Sequence, residues 1–207
     1  MIRPGDLVFD IGAHKGEKAT GFLQAGARVV AVEPQPALAR ALQAKLPEIT
    51  VVIKACGPEI GTVKLYMTAV SWLATCNPEK WSHGRFNGYK WNADIEVPMT
   101  TLDALIEEYG MPAFIKVDVE GYEYEVMRGL SRPVPWISYE FTAEYLIDAI
   151  RCANHLMSLG DYEFTATRAV GPVPERYMTV EQTFAELQRP PAYQWGDIYA
   201  RNRENRL

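Results

Sequence analysis

Short apolar runs and amphipathic segments alternate along the first fifty residues. The order is strand, helix, strand, helix, strand, at residues 7–12, 17–25, 28–33, 36–46 and 50–53. The apolar runs are continuous, which is typical of strands buried on both faces of a parallel sheet. In the second helical segment, Leu38, Leu42 and Leu46 recur every four residues and predict one buried face. The alternation predicts a parallel sheet with right-handed crossovers.

Regular patterning returns after residue 100. A helix is predicted from the capping-box pattern TTLD (100–103) to Tyr109, followed by a strand at 114–119 and a helix that buries Tyr122, Val126, Met127 and Leu130. A strand at 135–141 comes next, and then a helix at 143–159 whose inward residues are Leu146, Ala149, Ile150, Ala153 and Met157. The last two predicted strands are at 162–167 and 195–201. No internal repeat or linker separates these segments. We therefore predict a single α/β domain over residues 1–207.

Two stretches between the predicted elements lack usable periodicity. Residues 68–95 follow a strand predicted at 62–67, and residues 168–194 contain four prolines. The first stretch carries aromatic residues among Asn, Ser and Gly, namely Trp72, Trp81, Phe86, Tyr89 and Trp91. Long segments of this kind run over the surface of a domain and frequently carry function. We predict both stretches as surface excursions from the sheet.

Composition narrows the class of protein without identifying a function. Of the 207 residues 48% are hydrophobic and 23% charged, with a net charge of −5, which excludes a disordered chain and argues against binding nucleic acid by phosphate neutralisation. The longest apolar run has four residues, 29–32, so we expect no membrane span. Cys56, Cys76 and Cys152 are far apart and odd in number. We expect neither a disulfide framework nor a zinc site, and a cytoplasmic location.

The turn after the first predicted strand carries the first candidate chemistry. It reads DIGAHKG over residues 10–16. Glycine lets a backbone approach a ligand closely, and the start of the following helix favours negative charge. The spacing is GxxxG rather than the GxGxxG of dinucleotide-binding folds, and Asp10 would repel a pyrophosphate. Asp10 suits a cofactor with a cationic amino group, and Glu33, at the end of the second strand, is placed to accept hydrogen bonds from ribose hydroxyls.

Together these features favour an adenosine cofactor without phosphates, and S-adenosylmethionine fits that description. Asp10 and the glycine turn would face its methionyl end. A plainer interpretation is that Gly12 and Gly16 only form a tight turn and that Glu33 is a solvated strand end. A nicotinamide-dependent oxidoreductase shares the fold and the ribose acid, but Asp10 and the missing GxGxxG oppose it.

A second turn between a strand and a helix reads IKVDVEGYE over residues 115–123. In a doubly wound sheet, ligands bind at the strand ends where the strand order reverses. If this strand lies beside the first, Asp118 comes close to Gly12, and we predict Asp118 nearest a transferred methyl group with Glu120 beside it. Glu120 is equally well interpreted as a helix-terminal charge favoured by the dipole, and Glu123 and Glu125 are expected to be first-turn acids.

These motifs resemble those of class I S-adenosylmethionine-dependent methyltransferases. VFDIGAHKG and VVAVEP are similar to motif I and the acidic strand that follows it. CGPEIGTVKLYM, TTLDAL and IKVDVEGYEYEVMRGL resemble more narrowly the FkbM family of methyltransferases. The resemblance implies a single doubly wound, Rossmann-like, seven-stranded and mostly parallel sheet with an antiparallel last strand and helices on both faces. It also implies O-methylation of a hydroxyl, often on a sugar or natural product.

Carried over to this chain, the resemblance implies a set of site residues. The predicted cofactor-binding residues are Asp10, Gly12, Ala13, His14, Gly16, Glu33, Pro34, Ala55 and Asp118. Asp118 and Glu120 would border the methyl-transfer site as catalytic residues. A hydroxyl acceptor must lose its proton, so Asp118 is the predicted base if burial raises its pKa. His14 and His83 are rivals because an ordinary histidine titrates near neutral pH, whereas His155 is expected to be structural.

Three further questions stay open at this stage. Asp118, Glu120 and Glu140 would suit Mg²⁺ if they converge at adjacent strand ends, but we expect hydrogen-bonded cofactor or dipole partners and no metal. The aromatic residues of 68–95 are candidates for an acceptor wall, because aromatic faces stack on sugar or aryl rings, or they anchor that segment to the sheet. A non-catalytic module that binds the adenosyl cofactor remains the main alternative to an enzyme. The sequence indicates neither the acceptor nor the oligomeric state.

Overall fold

The computed structural model describes residues 2–69, 73–81, 88, 90–91, 93–169, 171–189 and 195–204. Its elements in chain order are β1 (Leu7–Ile11), α1 (Glu17–Gln24), β2 (Arg28–Val32), α2 (Pro36–Lys45), β3 (Thr50–Val52), β4 (Ala55–Cys56), β5 (Gly61–Met67), a 3₁₀ turn (Pro78–Trp81), β6 (Ala93–Thr100), α3 (Leu102–Tyr109), β7 (Phe114–Val117), α4 (Glu123–Arg128), β8 (Trp136–Thr142), a 3₁₀ turn (Ala143–Tyr145), α5 (Leu146–Leu159), β9 (Tyr162–Ala166), α6 (Val180–Leu187) and β10 (Trp195–Asn202).

Seven strands form the central sheet in the order β3-β2-β1-β7-β8-β10-β9. The first five strands in this order pair in parallel, and β10 runs antiparallel to both of its neighbours. Every residue of β1 and β7 is buried, including Asp10 and Lys116, the charged residues within these otherwise apolar strands. The predicted α/β sheet with an antiparallel last strand is confirmed.

Helices cover both faces of this sheet. Phe9, Ile115 and Tyr139 point to one face, where they share a core with α3, α4, α5 and α6. Val8 and Phe114 point to the opposite face and pack with α1 and α2. Neighbouring residues of a strand therefore serve different layers, which is the two-sided burial expected of a doubly wound sheet.

One predicted core position on α5 is wrong. Met157 is 41% exposed, whereas Leu156 is fully buried. The buried face of α5 follows Ala149, Cys152, Ala153 and Leu156. At 3.6 residues per turn this spacing brings residue 156 rather than 157 back to the face that packs on the sheet.

A second sheet of three strands, in the order β4-β6-β5, was not predicted. β6 begins within the predicted excursion 68–95 and pairs antiparallel with β5 along its whole length. The strand carries Pro98 and the charged Asp94 and Glu96, and only residues in its second half are buried. β6 is the middle strand of this sheet, and β4 pairs with it only at Met99 and Thr100. Its polar residues and its proline hide such a strand from a search for apolar runs.

Helix α3 begins one residue later than its capping pattern predicted. The N-cap is Thr101, whose hydroxyl accepts a hydrogen bond from the Ala104 N–H at 3.0 Å. The Asp103 carboxylate does not close a capping box; it accepts from the Ser131 N–H at 3.1 Å. Among the described helices, none is long and apolar enough to cross a membrane.

Candidate functional site

The turns after β1 and β7 meet where the strand order reverses. β1 lies between β2 and β7, with Asp10 opposite Lys116 in the register. The Asp118 N–H donates to the Ile11 carbonyl at 2.9 Å, and Gly12 has a φ of 83°. A Cβ atom on Gly12 would stand 1.8 Å from the Asp118 carbonyl oxygen. Glycine is therefore required here by the contact between the two turns, in addition to any approach of a ligand.

A cavity of about 180 Å³ opens beside these turns. Predicted site residues that line it are Asp10, Gly12, Ala13, His14, Glu33, Pro34, Ala55, Asp118 and Glu120. Gly16 does not line the cavity. It begins α1 with a φ of 75°, and a Cβ atom there would stand 2.3 Å from Leu42 Cδ1, so its role is to fit the turn against α2.

Asp10 lies at the floor of the cavity with its carboxylate almost completely shielded. It is 1% exposed, and neither oxygen accepts a hydrogen bond of normal geometry within the described part of the chain. Burial raises the pKa of Asp10 to about 6. The nearby charge of Asp118 adds to this rise, whereas the Lys116 charge opposes it. The Ala19 N–H also lowers the pKa slightly, although its geometry falls short of a normal hydrogen bond. A buried carboxylate in this state is poised to accept hydrogen bonds from a cation.

Glu33 connects the end of β2 to the first turn. Its carboxylate is 3% exposed and accepts one hydrogen bond from the His14 N–H and another from the Gln35 N–H, both at 2.8 Å. Burial raises the pKa of Glu33, and these two backbone bonds oppose that rise. Glu33 is thus no solvated strand end. Each carboxylate oxygen offers a second lone pair, so Glu33 can also accept from a ligand hydroxyl.

His14 lines the cavity in a left-handed conformation, with a φ of 48°. Burial, together with the neighbouring Lys15, lowers the pKa of its imidazole. His14 is therefore neutral at physiological pH. His155, on α5, lies with its Nε2 2.8 Å from the Leu130 carbonyl oxygen, away from the cavity, which agrees with the expected structural role. His83 lies outside the described residues.

Lys116 is a site residue that the sequence analysis missed. It is 5% exposed, and its ammonium group lies 2.6 Å from Asp118 Oδ2. Burial alone would lower the pKa of Lys116, but the carboxylates of Asp118 and Asp10 raise it above its ordinary value, so the side chain stays cationic. The signal was a charged residue between Ile115 and Val117 in a buried strand, where an unpaired lysine is disfavoured.

Three carboxyl groups converge above the end of β7. One oxygen each from Asp118, Glu120 and Glu140 lies within 4.8 Å of the others, and these three are the described residues that could hold a metal ion. Burial, the Asp118 charge and Glu123 raise the pKa of Glu120 to about 9. Burial and the same acidic neighbours raise the pKa of Glu140 well above its ordinary value. Like charges this close cannot all ionise, so the cluster retains protons at neutral pH.

The opposite side of the cavity is apolar and is formed by β4, β5, the segment that follows β5 and Tyr122 at the start of α4. Cys56, Leu65, Ala74, Cys76 and Tyr122 line it. Burial raises the pKa of both thiols to about 12, so they remain protonated and behave as small apolar groups. The cavity therefore has a carboxylate side at the turns and an apolar side at the second sheet, a division suited to a ligand with one cationic and one aromatic end.

The predicted aromatic wall is only partly within the described structure. Trp72, Phe86 and Tyr89 lie outside the described residues, as does the side chain of Trp81. Trp91 is partly buried against Leu73, and its indole N–H donates to the Leu73 carbonyl at 3.4 Å. Trp91 therefore anchors its segment, which is the second of the two interpretations given for these aromatic residues.

Comparisons with known proteins point to one family. Residues 10–157 match the sequence model of the Methyltransferase FkbM domain. A TehB-like SAM-dependent methyltransferase from Corynebacterium glutamicum superposes with a TM-score of 0.50 at 10% identity, over 98% of this chain and 83% of that chain. This likeness supports the same fold. No curated protein sequence matches the chain.

Two further solved structures show weaker likeness. Precorrin-6Y C5,15-methyltransferase from Geobacter metallireducens has a TM-score of 0.48 at 10% identity, over 97% of this chain and 82% of that chain. Aeropyrum pernix fibrillarin, solved with natively bound S-adenosyl-L-methionine, has a TM-score of 0.47 at 14% identity, over 96% of this chain and 67% of that chain.

Proposed function

This chain belongs to the FkbM methyltransferase family, and from that premise we propose that it methylates a hydroxyl of a sugar or natural-product-like small molecule. S-adenosylmethionine is the cofactor of such a methyltransferase. The proposal goes beyond the family in naming oxygen as the acceptor atom and a small molecule as the substrate.

The observation that carries the cofactor assignment within this proposal is the state of Asp10. Its carboxylate is buried in the cavity and accepts no hydrogen bond of normal geometry from the described residues. Such a group is stabilised by a cationic partner and would repel a pyrophosphate. This supports S-adenosylmethionine, which carries an amino group and a sulfonium, over a nicotinamide dinucleotide.

The two sides of the cavity match the two ends of the cofactor. Asp10 would receive the amino group of the methionyl end, and Glu33 would accept from the ribose while it holds His14. The apolar side, with Leu65 and Tyr122, would hold the adenine ring. When bound, the cofactor supplies an electrophilic methyl group on sulfur and a neutral thioether as leaving group.

Asp118 and Glu120 would have different roles at the acceptor. The Lys116 ammonium lies 2.6 Å from Asp118 Oδ2 and holds this carboxylate in place, so Asp118 can accept a hydrogen bond from the acceptor and orient it. Glu120 would take the hydroxyl proton as the acceptor oxygen bonds to the methyl carbon. Its pKa of about 9 leaves only a minor fraction ionised at neutral pH, but that fraction is a strong base. His14 is a weaker candidate, since burial lowers its pKa.

Titration calorimetry with S-adenosylmethionine and with NAD tests the cofactor assignment. We expect binding of S-adenosylmethionine alone. Release of S-adenosylhomocysteine is then followed with a panel of hexoses, hexosamines and phenols. Turnover with a hydroxylated member supports the proposal. Binding without turnover of any member would favour a non-catalytic module, and binding of NAD would contradict the assignment outright.

We also propose a cytoplasmic location. Cys56, Cys76 and Cys152 are free thiols, and two of them are buried. Free buried cysteines are typical of a reducing compartment.

A further inference from the structure

We propose that Thr75 and Lys80 are positioning residues that fix the backbone of Glu120 and Gly121 at the methyl-transfer site. The inference rests on the proposed function, because it assigns a task to residues that support a proposed catalytic group. Both residues lie in the 68–95 excursion, whose aromatic residues the sequence analysis connected either with the acceptor or with anchoring of the segment to the sheet.

Glu120 needs such support because its backbone is strained. Its φ is 53°, in the left-handed region that side chains other than glycine rarely adopt, and Gly121 follows at 93°. A residue in this region is destabilised by the close approach of its Cβ atom to the following carbonyl oxygen, and it persists only where its surroundings fix it. The contacts around residues 120 and 121 identify what fixes it here.

Thr75 holds the carbonyl side of the peptide between Glu120 and Gly121. Its hydroxyl is buried, donates to the Glu120 carbonyl at 2.7 Å, and accepts from the Asn77 N–H at 3.0 Å. The backbone of Thr75 exchanges two hydrogen bonds with Tyr66 on β5, at 2.9 and 3.0 Å. The second sheet therefore fixes the position of the hydroxyl that holds Glu120.

Glu123 holds the amide side of the same peptide. Its Oε1 accepts from the Gly121 N–H and from the Val119 N–H, both at 3.1 Å. The peptide that follows Glu120 is thus bound at its oxygen by Thr75 and at its nitrogen by Glu123. A peptide held at both polar atoms has little freedom to rotate, so the left-handed conformation of Glu120 is maintained.

Lys80 extends the support to the next peptide. Its side chain is 9% exposed, and its ammonium donates to the Gly121 carbonyl at 3.1 Å. The same ammonium pairs with Asp148 on α5 at 2.8 Å and lies 5.2 Å from the centre of the Tyr145 ring. Lys80 therefore connects the excursion, the turn after β7 and α5 at one atom.

The test compares Thr75→Val, which keeps the shape but removes the hydroxyl, with Thr75→Ser, which restores it. The measurements are hydrogen–deuterium exchange at the Gly121 amide, titration with S-adenosylhomocysteine and the melting temperature of the full chain. We expect Thr75→Val to speed exchange at Gly121 about tenfold and to weaken S-adenosylhomocysteine binding about fivefold. Thr75→Ser should restore both to within about twofold.

Lys80→Met provides a second variant in case Thr75→Val does not fold, with Lys64→Met as its matched control. Lys64 is 63% exposed and pairs with Asp94 on the far side of β5 and β6. We expect faster exchange at Gly121 for Lys80→Met and none of these changes for Lys64→Met. Equal exchange and equal affinity in Thr75→Val and wild type would overturn the inference. So would losses that Thr75→Ser does not restore.

The two proposals fail in different ways. If the wild-type chain does not bind S-adenosylhomocysteine, the proposed function is wrong, whatever the variants do. If the wild type binds it and exchange at Gly121 is the same in Thr75→Val and Lys80→Met, only the positioning role is wrong.

Discussion

The turns after β1 and β7 meet at one cavity, but their carboxylates differ in how they are hydrogen-bonded and paired. In the first turn, Asp10 is buried without a hydrogen bond of normal geometry from the described residues. In the second, Asp118 pairs with Lys116 and Glu123 accepts two backbone hydrogen bonds. A buried charge without a partner is costly, whereas a paired one is tolerated. The carboxylate of the first turn is therefore available to bind a cationic ligand, whereas the pairings in the second turn fix the positions of groups that would take part in the reaction.

This difference separates affinity from turnover. Changes in the first turn should weaken binding of the cofactor, because the charge that receives the ligand is lost. Replacing the reacting side chains of the second turn, with its backbone conformation intact, should slow the chemical step, because these groups act when the proton moves.

The largest effect is expected from Glu120→Gln in the second turn. The amide keeps the shape but cannot take a proton, so we expect turnover to fall ~10²-fold or more while the affinity for S-adenosylmethionine stays nearly unchanged. Steady-state rates and titration calorimetry measure the two quantities. Glu48→Gln, on the exposed surface, is the matched control. Turnover at the wild-type rate would remove Glu120 from the mechanism.

The next effect is expected from Asp10→Asn in the first turn. The variant loses the negative charge that would receive a cationic amino group, and a hydrogen bond between charged groups contributes ~1.5–3 kcal/mol. The affinity for S-adenosylmethionine should therefore fall ~10- to 100-fold. Asp94→Asn, on β6 at the surface, should bind normally. If Asp10→Asn binds as tightly as the wild type, the charge of the first turn does not serve the cofactor.

The affinity for S-adenosylmethionine should also depend on pH through the ionisation of Asp10. Burial raises the pKa of Asp10 to about 6, with Lys116 opposing and Asp118 adding to the rise, and burial also raises the pKa of Glu33. A cationic ligand binds the ionised form, so affinity should increase as the pH rises from 5 to 7. The slope below pH 6 should approach about tenfold per pH unit. Asp10→Asn should flatten it, and a wild-type affinity that is constant over this range would contradict the assignment.

Much of this site was accessible from sequence because it depends on strand order. The apolar runs of β1 and β7 predict buried parallel strands, whose carboxyl ends lie at one edge of the sheet. That the two strands are neighbours was a condition of the prediction, and the strand order meets it. The contact between Gly12 and Asp118 follows from that arrangement. Lys116 was also readable, since a lysine inside a buried strand needs a partner, and Asp118 stands two residues away.

The apolar side of the cavity and the supports of Glu120 were not accessible in this way. Thr75 and Lys80 reach the turn from residues 41 to 45 positions away in the chain, through a segment without periodicity. Their positions depend on the second sheet, whose strand β6 was hidden by Pro98 and by polar residues on its solvated face. Contacts of this kind are set by tertiary packing, which overrides local sequence preferences.

The smallest effect is expected from removal of divalent cations. Asp118, Glu120 and Glu140 place oxygens within 4.8 Å of one another, which is a geometry that Mg²⁺ accepts. However, the Lys116 ammonium already lies 2.6 Å from Asp118 Oδ2. A second cation beside this ammonium is repelled, and the raised pKa values of Glu120 and Glu140 show that these carboxyl groups retain protons. We therefore expect a chelator to leave turnover unchanged. If a chelator abolished activity and Mg²⁺ restored it, the carboxylates of the second turn would bind a metal ion, and the contrast with the first turn would be lost.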